Sequence, residues 1–343
     1  MRIAVGLSGG VDSSVAAALL AEQGHTVVGV TMKLWREGRY KGGAKDACFG
    51  PGETEDIARA EVLCRQIGIE YRVFDCAGEY EKTVLEYFRN EYLSGRTPNP
   101  CVRCNAAMKF GVLPRLARES GLEFDKFATG HYAQIREQDG VFHLLRGVDE
   151  KKDQSYFLYR LGQDQLRNLI FPLGGLHKTE VRKLAERYGL EVKDKPDSQD
   201  FYSGNHVELL NVAPRRGNIV DTAGNILGTH NGFWNYTIGQ RKGLGIAAEH
   251  PLYVLELNAC RNEVVVGGAN DTLRHELTLA DCSWISDEPC GEVQVKIRST
   301  SRLFPAFFKK DTLTFTNAVS AAARGQSAVL YRDKEVLGGG IIA

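Results

Sequence analysis

The stretch Ser8–Ser14, SGGVDSS, lies between a short apolar run, Arg2–Leu7 (RIAVGL), and an amphipathic stretch, Ser13–Gly24 (SSVAAALLAEQG), that ends on glycine. A strand leading through a glycine-rich loop into a helix is a natural anion site. Glycine lets the backbone approach a phosphate closely, and the unpaired N–H groups of a helix start point at its oxygens. Ser8, Ser13 and Ser14 add hydroxyl donors, and Asp12 either positions Mg²⁺ or caps the helix. The loop is not a Walker A motif, because it lacks G-x-x-x-x-G-K-[ST]. The competing reading of two glycines alone is a strand-to-helix turn with a Ser/Asp cap.

Outward from this loop the chain keeps the same rhythm for the first ~200 residues, apolar runs alternating with amphipathic ones, as in a parallel sheet covered by helices. Thr26–Met32 (TVVGVTM), Glu70–Cys76 (EYRVFDC) and Phe124–His131 (FDKFATGH) read as strands. Glu53–Gly68 (ETEDIARAEVLCRQIG) and His177–Leu190 (HKTEVRKLAERYGL) read as helices. From Gly204 glycines become frequent and short alternating runs appear, among them YVLELN, EVVVGG, EVQVKIR, TLTFT, SAVLYRD and EVLGGGII. Their spacing of about ten residues suggests antiparallel sheet or small barrels. The expected fold class is α/β: a parallel-sheet domain over 1–203, a small β-rich module over 204–272, and a β-barrel-like domain over 273–343. No internal repeat is visible.

The 343 residues carry 43 basic and 43 acidic side chains, so no global charge points to nucleic acid, although a local basic face is compatible with a neutral total. No uncharged apolar run approaches the ~20 residues of a membrane span, and the N-terminus enters a strand without a signal-peptide pattern. A cytoplasmic protein without a membrane partner is expected, with its eight cysteines mostly reduced. That makes Thr97–Asn105, TPNPCVRCN, conspicuous. Cys101 and Cys104 are metal ligands, a redox pair, a nucleophile with a helper, or buried filler.

The full SGGxDS string in its strand–loop–helix context resembles the signature of the N-type ATP pyrophosphatases, the PP-loop enzymes. The succession SGGVDSS, GRTPNPCVRCN, ATGHYA, KDQSYFL, DSQDF, TIGQRKGLG and LGGGII resembles the tRNA-uridine 2-sulfurtransferases over essentially the whole chain. The resemblance implies ATP and Mg²⁺ as cofactors and tRNA as partner. It also implies a sulfur donor, either a persulfide carrier protein or inorganic sulfide. The implied reaction adenylates the C2 oxygen of the wobble uridine, releases pyrophosphate, and replaces that oxygen with sulfur.

Carried over residue by residue, Gly6, Leu7, Ser8, Gly9, Gly10, Val11, Asp12 and Ser13 cradle the phosphates, with Met32 by the adenine and Gly130 on the nucleotide. Asn99 and Pro100 shape the base pocket. His131, Lys152, Asp153, Gln154, Arg298, Ser299 and Gln326 contact tRNA. Without the family, His131 reads as a residue satisfied by backbone, and the charged run around Lys152 as a solvated turn.

Cys104 occupies the place of the family's nucleophilic cysteine. The second cysteine, in a D-S-x-x-x-C-F loop, is replaced by Tyr202, and no cysteine lies between Cys104 and Cys260. Cys104 therefore needs another partner. One option is Cys101, within disulfide reach at C-x-x-C spacing. Another is a [4Fe-4S] cluster on Cys48, Cys101 and Cys104, parallel to cluster-dependent PP-loop thiolases; a zinc staple is weaker, with three thiolates and no nearby histidine. Cys64 and Cys76 read as packing residues. Two rival functions remain: a PP-loop ligase or amidotransferase on a small molecule, and a non-catalytic RNA-binding or sulfur-carrier homologue.

Overall fold

A computed structural model describes residues 1–43, 47–190, 200–320 and 322–343. Its N-terminal half is built on a five-stranded, wholly parallel sheet in the order Glu70–Asp75, Thr26–Lys33, Arg2–Gly6, Lys126–Thr129, Leu169–Ile170. The first strand is central, and its Ile3, Ala4 and Val5 are fully buried, as expected of a strand covered on both faces. One face carries the helices Val11–Glu22, Glu53–Ile67 and Lys178–Arg187, packed through Val15, Leu20, Leu63 and Val181. The other face is covered by Phe110, Leu113 and Ala117 from the segment Cys104–Glu119. Gly68 adopts the left-handed conformation (φ 72°) that ends the second helix, as its place in the sequence suggests.

The β-rich half contains a four-stranded sheet, Ile226–His230, Gly217–Val220, Glu263–Gly267 and Tyr253–Asn258. It is followed by six antiparallel strands between Leu273 and Ile342. These close into a barrel where Leu273–Trp284 pairs with Glu335–Ile342, Leu279 opposite Ile342 and Trp284 opposite Gly338. Closure removes the free edges that would otherwise invite pairing with other chains. Among the described residues no helix is long and apolar enough to cross a membrane.

Two connections were not legible in the sequence. The hairpin Ala133–Gln138/Val141–Arg146 leaves the parallel-sheet domain and extends the barrel sheet, pairing Leu144 with Val336 and Leu145 with Glu335. His143 Nδ1 lies 2.7 Å from Glu335 Oε1 at this junction. The second connection is a two-stranded parallel ladder between Ala47–Phe49 and Asp200–Tyr202, which sets Phe49 opposite Tyr202.

Candidate active site

The phosphate loop leaves the C-terminal end of the central strand, where open α/β sheets collect ligands. Gly9 has φ +67°, and a Cβ there would stand 2.5 Å from the Asp56 carbonyl oxygen. Gly130, on the neighbouring strand's exit, packs so closely that a Cβ would lie 2.6 Å from the Asp12 carbonyl carbon. These two glycines let the loop nest between two backbones. Ser13 Oγ accepts from Ser8 N–H at 3.2 Å and donates to the Gly10 carbonyl at 3.2 Å, while Ser14 Oγ donates to that carbonyl at 2.8 Å. Asp12 does not cap the helix. Its carboxylate accepts from Lys178 Nζ at 2.7 and 2.8 Å and from the Tyr132 hydroxyl at 2.8 Å.

A cavity of about 290 Å³ runs from this loop to the cysteines. Gly6, Leu7, Ser8, Gly10, Val11, Asp12, Ser13, Met32 and Gly130 line its nucleotide end, and Gly9 only turns the chain. His131, Lys152 and Gln154 also line it, as do Cys48, Tyr80, Cys104 and Lys109. The cavity thus joins two motifs that lie almost a hundred residues apart in sequence. His131 is held by a 2.7 Å bond between Nδ1 and Thr129 Oγ1 and packs on Phe110 and Phe171. Burial and the Lys109 charge hold its pKa well below the usual imidazole range, so it is neutral at pH 7.

Other nominated residues are placed elsewhere. Asn99 caps the short helix Pro100–Arg103 by accepting from Val102 N–H at 3.3 Å, and Pro100 takes the first helical position. Asp153 has a fully buried carboxylate, which accepts from Gly147 N–H and Ser155 N–H at 3.1 Å each and faces Arg146 and Lys296. In this conformation it anchors the segment that presents Lys152 and Gln154, and it is closed to solvent. Arg298 donates to the Ile238 carbonyl at 3.0 Å, joining the barrel to the middle module, and Ser299 follows it half-buried. Gln326 donates from its amide to the carbonyls of Thr97 at 3.2 Å and Pro98 at 2.9 Å, pinning the turn that leads into the cysteine helix.

The cysteines divide by surroundings. Cys64 and Cys76 are buried, and burial pushes both thiols up to about 12, as packing residues. Cys104 is screened from bulk solvent yet open to the cavity; burial pushes it up to about 11 against the opposing charge of Lys109. Cys48 shares the cavity wall with Cys104, whereas Cys101 lies outside the lining, although its thiol is near enough to influence Lys109 and Tyr80. The expected [4Fe-4S] ligand set is a poor fit: among the described residues no three His, Cys, Asp or Glu side chains are placed to hold a metal ion together. A cation, Lys109, faces the three thiols instead.

Tyr202, in the second cysteine's place, is buried against Phe49, donates to Glu208 Oε2 at 2.7 Å and accepts from Gly42 N–H at 3.1 Å. Asp197, Ser198 and Gln199 of that loop lie outside the described residues.

Sequence reasoning missed Glu53, Lys109, Tyr132 and Lys178. Glu53 accepts the N–H groups of Leu34 and Trp35 at 2.8 Å each, tying down the connection that leads to Cys48; burial raises its pKa. Lys178 opens a helix whose sequence shows only an amphipathic pattern, so nothing local announces its reach to Asp12.

Three successive family models match nearly the whole chain. They are a tRNA methyl transferase HUP domain over 1–202, a tRNA methyl transferase PRC-barrel domain over 209–268, and an aminomethyltransferase beta-barrel domain over 274–342. The chain is 47% identical to a tRNA-specific 2-thiouridylase MnmA of Endomicrobium trichonymphae, over 100% of this chain and 99% of that protein. Proteins of the same name from Nostoc punctiforme and Geobacter metallireducens are each 44% identical over 99% of this chain, covering 98% and 96% of their own lengths. By identity and coverage alike, the chain belongs to the tRNA-specific 2-thiouridylase family.

Proposed function

We propose that this protein catalyses ATP-dependent 2-thiolation of the wobble uridine of tRNA. The observation that carries the reading is the single cavity joining the phosphate loop to Cys104, Cys48 and Lys109. A uracil carbonyl oxygen is a poor leaving group, and adenylation turns it into a phosphate ester. The loop amides and the start of helix Val11–Glu22 suit a nucleotide triphosphate, and the nest closed by Gly9 and Gly130 leaves backbone donors facing it. Asp12, whose carboxylate here accepts from Lys178 and Tyr132, would hold Mg²⁺ together with the phosphates, and the ion would supply charge neutralisation at the α-phosphate. Lys152 adds a cation at the cavity wall. Neutral His131 serves as a hydrogen-bonding group toward the base. Cys104 presents sulfur to the same cavity, fed by a persulfide carrier protein or inorganic sulfide.

In this reading residues 1–203 bind ATP and carry the chemistry, while 204–272 and 273–343 hold the tRNA and brace the site. Arg298, Ser299 and Gln326 then act at the seams, with Gln326 positioning the Pro98 turn. The relatives' name supports thiolation over methylation, and so does a cavity that ends on thiols.

The test supplies the protein with ATP, an unmodified tRNA transcript and a persulfide donor, and measures AMP, pyrophosphate and 2-thiouridine. AMP and 2-thiouridine appear together. AMP formed with a metabolite in place of tRNA indicates the small-molecule ligase instead, and tRNA binding without AMP indicates a non-catalytic homologue. Iron and sulfide bound stoichiometrically after anaerobic purification, and lost on Cys48→Ala, overturn the thiol reading of the centre.

A further inference from the structure

The segment Cys104–Val112 is wound as a π-helix, nine residues long, directly after the α-helical turn Pro100–Arg103. Such windings are rare and are frequently found at functional sites. Their consequence here is specific. In an α-helix, residues five apart point about 140° away from each other, at 3.6 residues per turn. The wider π turn, bonded i to i+5, brings the fifth residue back under the first. Cys104 and Lys109 stand in that relation, and both line the cavity.

Lys109 is also anomalous electrostatically. Among the described residues it forms no ion pair with a carboxylate, and the titratable groups that act on it are the thiols of Cys48, Cys104 and Cys101. Lys178, by contrast, is paired with Asp12 of the phosphate loop. A cation screened from bulk water without a counter-ion is costly, so its site is built for an anion that arrives during turnover.

We propose that Lys109 is the positioning cation of the sulfur-transfer half-reaction, holding the anionic terminal sulfur of a persulfide carried on Cys104. The inference rests on the thiolation reading and names the group that makes its second half work. A plain thiol at Cys104 holds no sulfur to transfer, so a persulfide must form there first. A persulfide S–H is more acidic and ionises beside the ammonium. Its terminal sulfur attacks C2 of the adenylated uracil; the C–S bond forms, the C2–O bond breaks, and AMP leaves with the oxygen. A second thiolate then attacks the Cys104 sulfur. The S–S electrons pass to the transferred sulfur, leaving 2-thiouridine and a protein disulfide that an external dithiol reduces. Cys48, on the same wall, is placed to be that second thiol.

The test compares wild type, Lys109→Met and Lys109→Arg. The proteins are treated with cysteine persulfide, trapped with iodoacetamide, and the Cys104 peptide is read by mass spectrometry. In parallel, tRNA-dependent AMP formation and 2-thiouridine are measured. Lys109→Met loses at least ~10-fold in trapped Cys104 persulfide and ~30-fold in thiolation, with a much smaller loss in AMP formation, and Lys109→Arg recovers part of both. Equal loss of AMP formation and thiolation, or undiminished persulfide in Lys109→Met, overturns the proposal. Melting curves separate misfolding from these effects, since Lys109→Arg keeps the charge and most of the volume. If wild type makes no AMP with tRNA, the thiolation reading fails, and the persulfide comparison still decides Lys109.

Discussion

Replacing Gln326 with leucine removes two hydrogen bonds from the seam between the barrel and the cysteine turn while keeping a side chain of similar size. The amide nitrogen donates to the carbonyls of Thr97 and Pro98 at 3.2 and 2.9 Å. The turn retains its backbone bond from Thr97 N–H to the Arg324 carbonyl at 2.7 Å, so the loop slackens without detaching. Each lost bond costs about 1 kcal/mol net, and a carbonyl left unpaired beside buried Thr97 adds to that, so the expected destabilisation is about 2–3 kcal/mol. Asn99 and Pro100 follow at once and start the helix that sets Cys101 and Cys104, so looseness there is transmitted to the sulfur. Displacements of about 1 Å cost up to ~100-fold in rate, and a loss of ~10-fold in kcat is expected here. Urea unfolding, tRNA binding and single-turnover thiolation measure the three quantities. An unchanged unfolding midpoint with weakened tRNA binding would refute the reasoning and make Gln326 the direct RNA contact that family resemblance implies.

Other outcomes follow from the same geometry. Cys104→Ser loses thiolation by more than ~1,000-fold while tRNA-dependent AMP formation stays measurable, because the thiol acts only after the uridine is adenylated; AMP and nucleoside assays on one sample check this. Tyr202→Cys, which restores the family's cysteine, costs about 3 kcal/mol and gains no activity, since the position is buried against Phe49; thermal melting and thiolation assays test both halves. Tyr202→Phe costs about 1–2 kcal/mol through the lost bonds to Glu208 and Gly42. Buried His131 has a depressed pKa, so the unfolded chain binds its proton first on acidification. Stability therefore falls as pH drops below about 6.5, by up to about 1.4 kcal/mol per unit until His131 itself is protonated, and His131→Asn flattens that limb of the pH–stability curve.

Much of the fold was legible because its signals are local. Short apolar runs alternating with amphipathic ones marked the parallel sheet, and Gly68 marked a helix end by the conformation only glycine adopts cheaply. The regular β runs after Gly204 anticipated a barrel. The hairpin Ala133–Arg146 was not legible as part of that barrel, because strand partners are chosen by long-range packing and a two-strand signal does not name its third neighbour. The π winding after Cys104 escaped notice for a related reason, since a hydrophobic pattern over nine residues does not separate i+4 from i+5 bonding.

The site shows the same division. The sequence by itself determined the phosphate loop, the cysteine-bearing turn and the loss of the distant cysteine at Tyr202, because each is a matter of residue identity at a fixed spacing. Only the tertiary structure decided which of these groups share a cavity. It placed Cys48 with Cys104 and turned Asp153 and Gln326 inward as braces. It also set Lys178 against Asp12 and left Lys109 facing sulfur with no carboxylate partner among the described residues. Burial and charge pairing depend on every element packed around a group, and a one-dimensional spacing carries no record of them.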